Sequence, residues 1–224
     1  MFSDFFSQIG ALDTLRVTLI MSLSSTVISS ALGIVLGLLL ERGSFPGKRI
    51  VVRINRTLMG APPVVIGLVA YMLLMRRGPL GALGWLFTIK GMVLAQVIII
   101  TPIVCGMVYT HAARAAPAIR AFAKTMGASR LQANLLILKE SRNETYFAII
   151  TGFGRSISEV GAVLLVGGNI KNNTRTMTTA ISTLQSAGVF TDGVFLGVLL
   201  LVAAFIVQTT ADYLRKAETY DENY

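Results

Sequence analysis

Apolar residues fall along this chain in long unbroken runs. A helix that crosses a hydrocarbon core of about 30 Å needs roughly 20 mostly apolar residues. Four runs free of charged residues meet or approach that length, at 17–40, 57–75, 91–113 and 193–211. A fifth, 146–166, has the length and the apolarity but contains Arg155 and Glu159. The pattern predicts one all-α integral membrane domain over residues 1–224, with five transmembrane helices. The stretch 114–145 reads differently. Ile119, Phe122, Ala123 and Met126 recur at helical spacing, with Arg120 and Lys124 on another face. Gly127 stands where a glycine ends a helix and Ser129 where a hydroxyl caps the next. Two short helices are therefore expected to meet at a Gly-Ala-Ser elbow, the second ending near Leu138. From periodicity alone such a pair serves equally well as a plain connector between two spans.

Composition fits a chain whose main solvent is lipid: 54% of residues are hydrophobic, 14% are charged and the mean hydropathy is +0.69. The basic excess, 20 Lys and Arg against 11 Asp and Glu, flanks the apolar runs and forms no basic stripe. That makes membrane lipid a partner and argues against nucleic acid. The charges also orient the chain. Five spans put 1–16, 76–90 and 167–192 on one side, with six cations: Arg16, Arg76, Arg77, Lys90, Lys171 and Arg175. The opposite side carries thirteen, five in 41–56, six in 114–145, and Arg215 with Lys216. The positive-inside rule then predicts an N-terminus outside and a C-terminus in the cytoplasm, against the vote of Arg76 and Arg77. Asp4 and Asp13 precede the first run, unlike the basic start of a cleaved leader, so the first helix is expected to stay in the membrane. Cys105 lies inside an apolar run and reads as packing, without a disulfide framework. His111 has no Cys or carboxylate cluster around it, so neither a metal site nor His-based catalysis is expected.

Three interruptions of the apolar runs carry candidate chemistry. Arg155 and Glu159, one helical turn apart, cost too much at mid-bilayer to face lipid and are expected to pair, with Ser158 and Ala162 beside them. The pair reads either as a self-satisfied structural clasp or as a polar wall of a translocation path, Arg155 attracting an anion and Glu159 holding it. Pro62 and Pro63 break the second run near its cytoplasmic end and free the carbonyls of Leu58 and Met59. A structural kink and a break that lines a cavity both fit. The polar segment from Gly167 and Asn169 to Thr179 suits oxyanions and also suits a solvated loop. Two small-residue patterns, Gly33 with Gly37 and Gly193 with Gly197, read as helix packing. Trp85 reads as an interfacial anchor within a glycine-rich turn.

The elbow resembles the cytoplasmic "EAA" loop of binding-protein-dependent ABC importer permeases. Ala123, Gly127 and Ile137 keep that pattern's places, with Ala128 and Ser129 as the family often has them. Ala121 stands where its Glu is expected, Phe122 where its second Ala is, and Lys139 with Glu140 where Leu-Pro is. Over about 15–211, the paired prolines followed by Gly67, the Gly-Pro-Leu-Gly loop, the Arg-Ser-Ile-Ser-Glu-Val-Gly segment and the Thr-rich stretch beyond Gly-Gly-Asn look like permeases of tungstate-type importers, close relatives of the molybdate ones. The resemblance implies a type I importer permease, multi-pass in a bacterial or archaeal cytoplasmic membrane. It implies a homodimer, two ATP-binding cassette subunits and an extracytoplasmic solute-binding protein. Ala121, Phe122, Ala123, Gly127, Ala128, Ser129 and Arg130 would couple to the ATPase, and Pro62, Pro63, Arg155, Ser158 and Glu159 would line the path. Ala121 leaves the family's usual polar contact to that subunit without its Glu.

No phosphate-cradling loop is present. The nearest approach, Gly43 to Gly47-Lys48, is one residue short and lacks the following Ser or Thr. The chain is thus expected to be no enzyme and to hold no cofactor, with ATP on a partner subunit. Another cargo such as sulfate or phosphate, a secondary transporter and a polytopic membrane enzyme are the alternatives.

Overall fold

The computed structural model describes residues 10–221, with side chains as far as Tyr213. Asp4 and the side chains of Arg215 and Lys216, used above for leader and charge, lie outside the described residues. The described residues form helices α1 (Ala11–Arg42), α2 (Lys48–Met59), α3 (Pro63–Leu74), α4 (Ile89–Thr125), α5 (Arg130–Glu140), α6 (Arg142–Ile157), α7 (Gly161–Gly167), α8 (Met177–Ser186) and α9 (Phe190–Asp221). A single 3-10 turn, Gly81–Leu83, lies between α3 and α4. Three of the helices are long and apolar enough to cross a membrane: α1, α4 and the first 24 residues of α9. Two bent pairs bring the number of crossings to as many as five: α2 with α3, at 103°, and α6 with α7, at 59°.

Helix α1 is built inside out by the standards of a water-soluble protein. Its buried face is small and hydroxylic, running through Thr14, Thr18, Ser22, Ser25, Thr26, Ser29 and Ser30, while Leu12, Val27 and Leu39 are exposed. In lipid, helix association gains little from burying Leu and depends on close contact and hydrogen bonds. The hydroxyls that donate do so locally, Thr18 Oγ1 to Thr14 O at 2.7 Å and Thr26 Oγ1 to Ser22 O at 2.6 Å. Further along α1, Gly33 and Gly37 let α4 approach. A Cβ on Gly33 would come within 2.6 Å of Val104 Cβ, and one on Gly37 within 2.9 Å of Cys105 O. Gly37 also faces Val108, so α1 and α4 run parallel in fixed register. Around this contact Ile99, Ile100, Val104, Val108, Ala148 and Ala162 close the main core.

Several expectations change here. Run 57–75 is not one helix, because the chain turns through 103° between Met59 and Pro63, with Pro62 capping α3. The carbonyl of Leu58 released by Pro62 accepts from Ala61 N at 3.2 Å within that turn. Run 146–166 is broken as well, at 158–160, so Arg155 and Glu159 straddle a bend. The first of the two short helices before the elbow is the tail of α4, which continues for 37 residues despite Pro102 and Pro117. The segment after Gly167 divides: Gly168 and residues 170–173 are exposed, as a solvated loop would be, whereas Thr174, Thr176, Thr178 and Thr179 are buried and a Thr176–Thr179 capping box starts α8. Gly193 and Gly197 make no close helix contact within the described residues, since a Cβ on Gly197 would meet nothing within 4 Å.

The tight contact at Gly33 generates a test. Gly33→Val should lower the thermal stability of the detergent-solubilised chain by about 1–3 kcal/mol, because Val104 and the Cys105 backbone have no room to give. Val35→Ile on the exposed face of the same helix should fall within about 0.5 kcal/mol of the parent.

Candidate functional site

The two broken runs meet. Gly67 on α3 lies against Ala162 on α7, where an added Cβ would stand 2.5 Å from Ala162 Cα, and a Cβ on Gly161 would stand 2.6 Å from Val64 Cγ2. Helices α3 and α7 therefore begin side by side, after the Pro62–Pro63 break and the 158–160 bend respectively. Their depth follows from α4. Ala162 packs with Ile99 and Ile100, some ten residues from the start of α4 at Ile89, or about 15 Å along the axis. That is the middle of a core of about 30 Å. Non-helical backbone at such depth is tolerated only where protein or a water-filled cavity surrounds it.

At this junction Glu159 is 4% exposed and makes three connections. Its Oε1 accepts from Ala162 N at 3.2 Å, which caps α7. Its Oε2 stands 3.5 Å from Arg155 Nη2. Its backbone carbonyl accepts from Thr178 Oγ1 at 2.8 Å, which ties the bend to the start of α8. Arg155 remains 37% exposed at its side chain, so one side of the guanidinium is open while the other is held by Glu159. Such a held cation offers N–H donors to an oxyanion without first having to be ordered. Ser158 is exposed, but its hydroxyl donates back to Gly154 O at 2.8 Å, so it offers an acceptor rather than a donor. Pro62 is exposed and Pro63 half-buried beside this level.

The residues supporting this site were not singled out in the sequence. Ser25 on α1 and Ser156 on α6 hydrogen bond at 2.8 Å, and Thr18 Oγ1 accepts from Met177 N at 2.8 Å, fixing α8 against α1. Gln96 on α4 is fully buried, and among the described residues neither its amide nitrogen nor its amide oxygen has a partner. The hydroxyl spacing along α1 was a legible signal for a polar seam. Nothing in the sequence pointed to the elements it meets.

The elbow residues form a second locus and do not adjoin the first. From Ile99 to Thr125 is 26 residues of α4, or about 39 Å. Gly127 has φ +68° and Ala128 N donates to Ala123 O at 2.9 Å, closing α4 as a left-handed glycine does. Ser129 opens α5 through a capping box with Gln132. Ala123 is buried and Ala128 half-buried, whereas Ala121, Phe122, Gly127, Ser129 and Arg130 are exposed. Phe122 and Met126 border a hollow of about 420 Å³ with Gln132 and Leu136. A second hollow, about 590 Å³, is lined by Arg42, Lys124 and Arg130. Arg120 donates to both carboxylate oxygens of Glu41 through Nη1 and Nη2, which ties the tail of α4 to the end of α1. Buried Ile137 holds α5 against Ala112 and Ala116. The surface is thus apolar on one side, basic on the other, and braced from behind.

Removing the Glu159 carboxylate tests this wiring. Glu159→Ala leaves the Ala162 N–H buried without its acceptor and should destabilise by about 1–3 kcal/mol, whereas Glu159→Gln keeps an acceptor and should lose less, as read by thermal unfolding in detergent.

Residues 33–218 match the model of the family described as "Binding-protein-dependent transport system inner membrane component". The chain is similar to a tungstate uptake system permease protein of Peptoclostridium acidaminophilum, 39% identical over 83% of this chain and 82% of that protein. It is 37% identical to a probable anion ABC transporter permease protein of Haloferax volcanii, over 83% and 82% of the two chains. It is 33% identical to a tungstate uptake permease of Campylobacter jejuni, over 89% and 87%.

Proposed function

The chain belongs to the family of binding-protein-dependent transport system inner membrane components, and from that premise we propose that it is the permease subunit of a tungstate importer, with molybdate as the related cargo. It is a multi-pass, all-α protein of the cytoplasmic membrane, built as a subunit of an ABC importer. In this reading two copies enclose the path, two ATPase subunits seat on the elbows and an extracytoplasmic solute-binding protein delivers the oxyanion. Five crossings alone enclose a pore poorly, which supports the pairing. ATP hydrolysis belongs to the partner subunits, and this chain supplies the gate. Its own orientation follows the charge count, with the elbow in the cytoplasm.

One observation carries the assignment of the path: a half-exposed Arg155, held by buried Glu159, at the mid-membrane junction of two broken helices. Intramembrane charge is retained where it serves a pathway or a partner. An oxyanion leaving the binding protein meets a guanidinium already oriented for it. ATP-driven closure of the ATPase pair would be delivered at residues 121–130 and carried along α4, which also contributes Ile99 and Ile100 to the core behind the junction. The two ends then belong to one two-state element that ligands at either end can bias. Because Ala121 replaces the acidic residue of the family pattern, contact with the ATPase rests on Phe122, Met126 and the basic rim of Lys124 and Arg130.

Reconstituted complex with its ATPase and binding protein tests the assignment directly. Glu159→Gln should assemble normally and lose most tungstate uptake, measured by metal analysis of vesicle contents; full uptake would leave the pair a structural clasp. Gly127→Asp should keep ATP hydrolysis and lose uptake, since nothing stands within 4 Å of an added Cβ, while the φ of +68° strains the elbow and an acid now sits on its basic rim; unchanged transport would remove the elbow from the coupling route.

A further inference from the structure

Helix α2 carries three separate stripes. Lys48, Val52, Asn55 and Met59 are half-buried and lie against α4. Asn55 Nδ2 donates to Pro102 O at 3.1 Å, Met59 closes over Gly106, and Lys48 Nζ stands 5.7 Å from the centre of the Tyr109 ring. The second stripe, Ile50, Val51, Ile54 and Leu58, is apolar and uncovered among the described residues, with Ile50 62% and Ile54 54% exposed. The third is Arg49, Arg53 and Arg56, all exposed and without a carboxylate partner among the described residues. At 100° per residue the centres of the apolar and arginine stripes lie about 150° apart. The arginines, with Lys48, Phe45 and Tyr109, line a groove of about 820 Å³.

Depth is again fixed by α4. Lys90 is the last charge before the apolar stretch, so Ile89 marks one membrane boundary. Pro102 and Tyr109 then lie about 20 and 30 Å further along the axis, the second at the far boundary of a core of about 30 Å. Helix α2 touches α4 between these two residues, and the 103° bend turns it away from the direction of α3. With α3 crossing the bilayer, that bend sets α2 close to the membrane plane, its contacts with α4 lying within about 10 Å of the boundary on the elbow side. A helix with one apolar face and one arginine face in that position matches the physics of an interfacial helix, whose cations meet headgroup phosphates.

We infer that α2 is an in-plane helix seated on anionic phospholipid, with Ile50, Val51, Ile54 and Leu58 in the acyl chains and Arg49, Arg53 and Arg56 holding the headgroups. The inference depends on the chain crossing a bilayer and is independent of the cargo. Trp85→Phe combined with Ile54→Trp gives a full-length chain with a single tryptophan. It would be reconstituted in phosphatidylcholine vesicles containing a minority of phosphatidylglycerol, with acyl-brominated quencher on one lipid or the other at equal mole fraction. Aqueous iodide should leave the I54W fluorescence unquenched, and brominated phosphatidylglycerol should quench it more strongly than brominated phosphatidylcholine. Arg49→Gln, Arg53→Gln and Arg56→Gln together should reduce that preference on the order of tenfold, towards the bulk lipid ratio. Should the triple variant fail to insert, raised salt on the unneutralised chain gives the same readout, because screening weakens headgroup contacts. Quenching by iodide without quenching by either lipid would overturn the inference. So would equal quenching by the two lipids, which would leave a membrane seat without anionic selectivity.

Discussion

The contact of α1 with α4 at Gly33 and Gly37 is the constraint from which the other placements follow. Two parallel helices brought to backbone distance leave no freedom to slide, since Val104 and Val108 interlock with the missing side chains. With that register set, the hydroxyl face of α1 meets α6 through Ser25 and Ser156 and meets α8 through Thr18. The tail of α4 is then held at the end of α1 by Glu41 and Arg120. A lipid-solvated bundle has little apolar burial to draw on, so glycine contacts and a few hydroxyl bonds must specify the arrangement. The exposed Leu, Val and Ile of α1, α3 and α9 face the solvent such a chain is made for.

Much of the fold was legible because lipid imposes a length rule that sequence cannot hide. The apolar runs at 17–40 and 193–211 lie within α1 and α9, and the elbow residues Gly127 and Ser129 take the cap roles that their chemistry suggests. What escaped notice depended on angle rather than composition. A proline pair announces a break but not whether it tilts the helix or turns it through 103°. The basic residues of 41–56 enter a charge count together, although Arg42 ends α1 and, at about 3.6 residues per turn, Lys48, Arg49, Arg53 and Arg56 sort into the stripes of α2. By composition the threonines after Gly167 suit oxyanions or solvent alike, and the burial of Thr174 and Thr178 has no mark in the sequence because their acceptors, Gly167 O and Glu159 O, are backbone atoms, which every sequence supplies.

The candidate site divides in the same way. That Arg155 and Glu159 would pair followed from their spacing, and the pair forms. That Glu159 would also cap α7 could not be read, since a continuous span was expected where the helix is broken. Joining the Pro62–Pro63 break to the charged segment needed the contacts of Gly67 with Ala162 and of Gly161 with Val64, long-range pairings with no local mark in the sequence.

The Arg155–Glu159 pair also bears on time. A lone guanidinium at mid-membrane would be costly while empty and, once it met a divalent oxyanion in a weakly polar surround, would release it slowly. With the carboxylate always beside it, the site carries a dipole and almost no net charge. If the proposed path runs here, a passing anion would gain directed hydrogen bonds on the open side and would feel repulsion from Glu159 behind them. On the proposed path the dwell would then be short enough for the next half of the cycle to empty the site, the same compromise between entry and exit that governs any conducting pore.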